Sequence, residues 1–179
     1  GKNPAESFKW YRLAAEQGDT TSQYNIGVMY RDGQGVAQDM KKAVLWLKKA
    51  AKKGHVAGVF NLGVLYRDGR GVEQNYEKAA RIFRAVSEKG FSIAYLDLGL
   101  AHLLGRGVRQ DYKIAQKWIR KAAELGSAKA QYNLGVMYSK GMGVEQDLDQ
   151  SIRWMEKAAE NGHPQAAPAL MKLKGIRSG

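Results

Sequence analysis

Glycine recurs in this chain at a fixed step of 36 residues, and that step limits the possible folds more than any other feature. Gly-x-Gly-Val stands at Gly33–Val36, Gly69–Val72, Gly105–Val108 and Gly141–Val144, with no insertion between copies. A second series (Gly18, Gly54, Gly90, Gly126, Gly162) and a third (Gly27, Gly63, Gly99, Gly135) keep the same step. Together these positions account for 17 of the 21 glycines. A chain of this length at average usage carries about 12 or 13, so the surplus is periodic. Periods between roughly 20 and 50 residues mark stacked supersecondary units, each burying its apolar face against the next.

Between the glycines the pattern is helical. From Asp39 to Lys53, Ala43, Leu47, Ala50 and Ala51 fall on one helical face. Asp39, Asn75, Asp111 and Asp147 each precede such a stretch, where a side-chain oxygen accepts from the exposed N–H groups of a helix start. The Gly18 series follows each stretch, where a left-handed residue ends a helix cheaply. A second helix fits from Thr20 to Asp32 and recurs near 56–68, 92–104 and 128–140. Each unit is therefore a helix, a Gly-x-Gly loop, a capped helix and a glycine turn. The expected fold is all-α: a solenoid of 36-residue helix-turn-helix repeats with about ten antiparallel helices. The boundaries read as a partial unit at 1–18, full repeats at 19–54, 55–90, 91–126 and 127–162, and a capping helix and tail at 163–179.

Three stretches resemble the Sel-one-like repeat family, a relative of the tetratricopeptide (TPR-like) repeats. They are Ala130-Gln-Tyr-Asn-Leu-Gly-Val-Met-Tyr138, Gly141-Met-Gly-Val-Glu-Gln-Asp147 and Trp154-Met-Glu-Lys-Ala-Ala-Glu-Asn-Gly-His163, and the likeness runs from Pro4 to Leu173. The resemblance implies a right-handed α/α superhelix, with first helices lining a concave groove and second helices outside. It also implies adaptor roles in bacterial envelope processes, virulence or signalling, and in eukaryotic protein quality control. The near-consensus repeats look bacterial.

Periodic residues are first of all structural. Trp10, Trp46, Trp118 and Trp154 share a column, with Ile82 in the middle copy, and pack the interior between units. Tyr30, Tyr66 and Tyr138 do the same, with His102 in the third unit. The Gly27 column sits inside a helix at about 1 kcal/mol per residue relative to Ala, which points to close helix approach. The Gly-x-Gly loops lack the Lys-Ser/Thr of a phosphate-binding loop and read as turns.

A search for chemistry finds neither Gly-x-Ser-x-Gly nor His-Glu-x-x-His, and there is no cysteine. His55, His102 and His163 lack metal-ligand spacing. The expected protein is not an enzyme and takes no cofactor or metal. The net charge of +12 is uneven: +5 over 39–54, where Lys41, Lys42, Lys48, Lys49, Lys52 and Lys53 cluster, against −2 over 147–162. A solvated face explains the cluster; an acidic partner is the sharper reading. No aromatic residues interleave with the exposed lysines, which disfavours nucleic acid.

The expected partner is a protein or peptide held on the groove. Asn25, Asn61, Asp97 and Asn133 form one first-helix column, and an amide carries the donor and acceptor that grip a peptide backbone. In similar repeat proteins groove-facing asparagines act this way; bonding to a neighbouring unit's backbone is the structural alternative. Tyr24, Phe60, Leu96 and Tyr132 form a column that the resemblance places at the groove's border. Arg31 and Arg67 could catch a carboxylate, or be neutralised by Asp32 and Asp68.

The third unit departs from the template. Leu100, Leu103 and Leu104 replace Val, Arg or Ser, and Asp or Lys, so with Leu96 they form a candidate hydrophobic contact surface, for a partner or in a homodimer. Self-association as a scaffold is the alternative function. In the last unit Pro168 and Met171 replace Tyr and Gly, and Lys172, Lys174 and Arg177 follow, as in a polar solenoid cap. No stretch is apolar enough to span a membrane. The chain opens on Gly1 with no signal region, and reads as a fragment from which earlier repeats were trimmed. The compartment is undetermined, with bacterial periplasm or secretion slightly favoured over cytoplasm.

Overall fold

The computed structural model describes residues 3–178, with the backbone alone for 176–178, so the side chain of Arg177 and the residues Gly1, Lys2 and Gly179 lie outside the description. Residues 1–89 and 90–179 form two compact units.

The first unit holds α1 (Pro4–Glu16), α2 (Thr20–Asp32), α3 (Met40–Lys52), α4 (Val56–Asp68) and α5 (Tyr76–Glu88). The second holds a 3-10 turn (Ser92–Ala94), α6 (Tyr95–Leu104), α7 (Tyr112–Glu124), α8 (Ala128–Lys140), α9 (Leu148–Glu160) and α10 (Ala166–Ser178). Within each unit every helix packs against the next in sequence, and no strand occurs among the described residues. The architecture is the expected all-α solenoid of antiparallel helix pairs.

Local chemistry explains the helix ends. Asp39, Asn75, Asp111 and Asp147 cap α3, α5, α7 and α9, each accepting the backbone N–H three residues on at 2.8–2.9 Å. The cap residue's own N–H reaches back to the carbonyl of Tyr30, Tyr66, His102 or Tyr138, which fixes each loop to its first helix. Gln38, Gln74, Gln110 and Gln146 add a clamp: each Nε2 donates to the carbonyl of Arg31, Arg67, Leu103 or Ser139 at 2.7–2.9 Å. This glutamine column is periodic in the sequence, yet its role emerges only once the loop is folded.

One helix start differs from expectation. The first helices α2, α4 and α8 are capped by Asp19, His55 and Ser127. The same position before α6 is Phe91, whose side chain makes no cap hydrogen bond, and the chain passes through the 3-10 turn before α6 begins at Tyr95 rather than near residue 92. A ring without an acceptor leaves the first N–H groups to tighter backbone bonding.

The core lies between paired helices. Ile26, Leu47, Leu65, Phe83, Leu98, Ile119, Leu134 and Met155 are fully buried. Close approach at the Gly27 column is direct: a Cβ on Gly27 would lie 2.7 Å from Leu47 Cγ, and one on Gly99 2.6 Å from Ile119 Cγ1. The tryptophan column is graded. Trp154 is buried at 9% exposure, whereas Trp10, expected inside, is 67% exposed, beside a hollow lined, among the described residues, by Asn3 and by α1's own Ala5, Glu6, Lys9 and Leu13. Where the rings of Trp46, Trp118 and Trp154 reach the surface, Lys49, Lys121 and Lys157 lie over them at 4.0–4.6 Å.

Candidate functional site

The candidate residues lie on the first helices, and neighbours one repeat on give the same residue type different roles. Asn61 is buried. Its Nδ2 donates to Ala57 O at 2.9 Å, and its Oδ1 accepts from Arg31 Nη1, thirty residues earlier. That amide ties α4 to α2. Asn133 donates to Lys129 O at 2.6 Å, and its Oδ1 stays unengaged on a half-exposed side chain. Asn25 makes no side-chain hydrogen bond among the described residues and lines a hollow of about 300 Å³ with Ser7, Tyr11, Val28, Met29 and Gln34. Asp97 is half-buried on α6.

The aromatic column is likewise partly engaged. Tyr24 stacks on His55 with ring centroids 4.4 Å apart and planes 19° apart. Tyr132 stacks on His163 at 4.3 Å and 13°. Phe60 tilts against Phe83 at 5.8 Å. The histidines look inert in sequence because each merely follows a turn glycine; in the fold each carries a ring stack. His55 also accepts Gly58 N–H at Nδ1, 3.1 Å, as the cap of α4. Burial, reinforced by Lys129, pushes the His163 pKa below the usual histidine value.

Both arginines are held beside acids. Arg31 Nε and Arg67 Nε sit 2.7 Å from Asp32 and Asp68 Oδ1. Hydrogen bonding to the guanidinium lowers the pKa of each aspartate and raises that of Arg31. A carboxylate ligand would have to compete with an adjacent acid in both places.

The leucines of α6 lie on one helical face, spaced i, i+4, i+7 and i+8, but at unequal depth. Leu96 and Leu103 pack against the core of the second unit, Leu100 is half-buried, and Leu104 is 51% exposed. The open apolar positions near them are Ile93 and Leu125, at 64% and 67% exposure, which sequence periodicity does not mark. Together with Leu96 they border a hollow of about 290 Å³.

On α3 the lysines split into two groups. Lys42 pairs with Asp39 at 3.3 Å, Lys49 lies over Trp46, and Lys53 donates to Gly18 O. Lys41, Lys48 and Lys52 are exposed and have no ion pair among the described residues. No group of three or more His, Asp or Glu is placed to hold a metal, and no helix is long and apolar enough to cross a membrane, among the described residues.

A two-helix repeat array with amides, rings and guanidinium groups on its first helices defines a class: a scaffold for protein–protein interaction. The Sel1 repeat model matches residues 1–19, 20–55, 56–91, 92–127 and 128–163, and the chain belongs to the Sel1 repeat family. Among solved structures, a Sel1 repeat protein from Oxalobacter formigenes is 36% identical over 94% of this chain and 67% of that one, with TM-score 0.86. A protective antigen present in uropathogenic Escherichia coli strains, displaying an SLR fold, is 35% identical with TM-score 0.85 over 95% of this chain. This chain spans only 36% of that antigen's length. The Helicobacter pylori cysteine rich protein B is 25% identical over 74% of this chain and 96% of its own, with TM-score 0.56. No curated protein matches the sequence significantly.

Proposed function

We propose that the chain is an adaptor that holds a peptide or protein segment on its first helices, with Asn25 and Asn133 gripping the peptide backbone. The observation that carries this reading is the state of the two amides. Asn25 lines its hollow with donor and acceptor both unengaged among the described residues, and Asn133 is half-exposed with only its Nδ2 bonded. A main-chain amide satisfies such groups regardless of side-chain sequence. Asn61 serves as the internal control, since its amide is consumed by Arg31 and Ala57.

The test is a peptide display screen against wild type and the Asn25→Ala plus Asn133→Ala variant, at roughly 50 and 300 mM salt. The expected result is a set of peptides retained at the higher salt and weakened about tenfold or more by the double substitution, with helicity intact. Retention unchanged by the substitutions overturns the asparagine role. Asn61→Ala is expected to lower stability by about 1 kcal/mol.

A second reading, an acidic partner on α3, is favoured by the unpaired Lys41, Lys48 and Lys52 on one helical face. It predicts capture that vanishes at the higher salt and ignores the asparagines. Homodimerisation through the leucines has weaker support, because Leu96 and Leu103 are already spent on the core. For localisation we propose the bacterial envelope or exterior; the support is the likeness to a chain described as a protective antigen.

A further inference from the structure

The stacked ring pairs occupy one defined position in the repeat: the fifth residue of a first helix against the residue that follows the next turn glycine of the Gly18 series. Tyr24 with His55 fills it in the first unit, and Tyr132 with His163 fills it in the second. Within the second unit the position occurs once more, between α6 and α8, where the residues are Leu96 and Ser127. A leucine opposite a serine carries far less volume than two stacked rings, and the hollow of about 290 Å³ lies at that spot, lined by Leu96, Ser127, Ile93, Leu125, Ala122 and Asp97 with Ser92 at the edge.

Its rim departs from the template in the same direction. Ile93 stands where other repeats carry Thr21, Ala57 and Lys129, and Leu125 where they carry Gln17, Lys53, Lys89 and Asn161. Both replacements put a large apolar side chain into water, at 64% and 67% exposure. Exposed Ile and Leu beside an unfilled apolar hollow lose solvation free energy unless something covers them. The Ser127 hydroxyl is already committed to capping α8 through Ala130 N–H at 3.3 Å, so the floor makes little polar demand on an occupant.

The geometry points to a binding pocket for one aromatic side chain of a partner peptide, which takes the place of the missing ring stack between Leu96 and Ser127. The occupant is a planar ring because the same site in two other copies holds rings at 4.3–4.4 Å, and because Ile93 and Leu125 offer apolar walls rather than charge. This rests on the peptide-binding reading and deepens it by naming an anchor side chain.

The test uses the full chain with methyl-labelled Ile and Leu, titrated with acetyl-Gly-Tyr-Gly-amide and, as control, acetyl-Gly-Ala-Gly-amide. A single ring on an open hollow binds in the millimolar range. The expected result is a saturating ring-current shift of the Ile93, Leu96 and Leu125 methyls with the tyrosine peptide and none with the alanine peptide, while the fully buried Leu134 stays still. Ser127→His fills the hollow from within and keeps a cap acceptor, as His55 does, so it is expected to abolish the shifts. Leu125→Lys restores the residue type of Lys53 at an exposed position and is expected to weaken binding about tenfold without loss of helicity. Equal shifts with both peptides, no shift with either, or shifts unchanged in both variants overturn the pocket. In the display screen, peptides lost on Asn25→Ala plus Asn133→Ala yet indifferent to Ser127→His retain the amide grip and discard the pocket. Peptides lost only on Ser127→His do the reverse.

Discussion

Helices α6 and α8 occupy the same place in consecutive repeats of one unit, and they solve the same packing problem differently. Helix α8 starts from a serine cap, and its Tyr132 is covered by His163. Helix α6 starts from a phenylalanine that cannot cap, loses its first turn to 3-10 geometry, and leaves Leu96 beside a hollow. Loop bonds, glutamine clamp and interior glycine are common to both, which shows which positions the scaffold demands. The positions that differ are the cap, the ring column and the last turn. Those are the places where one repeat acquires a surface its neighbours lack.

The sharpest way to break the likeness is at the interior glycine. A Cβ on Gly99 would meet Ile119 Cγ1 at 2.6 Å and the backbone atoms Ile119 N and Ala115 O at 3.1 and 3.3 Å. The atoms nearest a Cβ on Gly135 would be the Cγ, Cε and Sδ of Met155, at 3.0–3.2 Å. Methionine re-packs easily, whereas a β-branched side chain and a backbone do not. Gly99→Ala is expected to destabilise by about 2 kcal/mol. Gly135→Ala should come out near zero, its overpacking offset by about 1 kcal/mol of helix propensity. Denaturant midpoints of the two variants decide this; equal losses would mean that the helices slide apart to accommodate both.

The caps come next in size. Ser127→Ala is expected to cost about 1 kcal/mol by removing the acceptor for Ala130 N–H. Phe91→His keeps a ring and supplies the Nδ1 acceptor that His55 uses on α4. It should stabilise the second unit by roughly 0.5 kcal/mol and extend α6 toward residue 92, seen as amide-exchange protection in that turn. If protection does not change, the 3-10 start is set by packing rather than by the missing acceptor.

These contrasts also mark what the sequence makes legible. Helices, loops and second-helix caps follow from residues acting on their own backbone within three or four positions, so a 36-residue register is enough to place them. The start of α6 was readable in principle: Phe91 is the first-helix cap without an acceptor, beside Asp19, His55 and Ser127. The asparagine column was not. Asn25, Asn61 and Asn133 are identical in a register reading, yet Asn61 is taken by Arg31 at an offset of thirty residues, which no in-register column reveals. The hollow at Leu96 was hidden for a similar reason, since it is made by what Ser127 lacks and by Ile93 and Leu125, which come together only when the turns fold side by side.

The smallest expected effect separates the two joints by pH. At the α8 joint, burial and Lys129 hold the His163 pKa below its ordinary value of 6.5, so the unfolded chain binds a proton more readily than the folded one. The stability that neutral His163 contributes is complete above the unfolded pKa and declines as pH falls from about 7 toward 5. One proton sets a ceiling of about 1.4 kcal/mol per pH unit, and a half-exposed ring stays well inside it. At the α6 joint Leu96 and Ser127 carry no titrating group and contribute nothing in this window. The aspartates at positions 19, 32, 39 and 68, all held below their usual 3.8, lose their contribution only on the acid side of that value. Urea midpoints measured between pH 5 and 7 should therefore slope upward with pH, and His163→Gln should flatten part of that slope while Ser127→Ala lowers the whole curve without changing its shape. A slope that survives His163→Gln unchanged would transfer the pH response away from the Tyr132 stack.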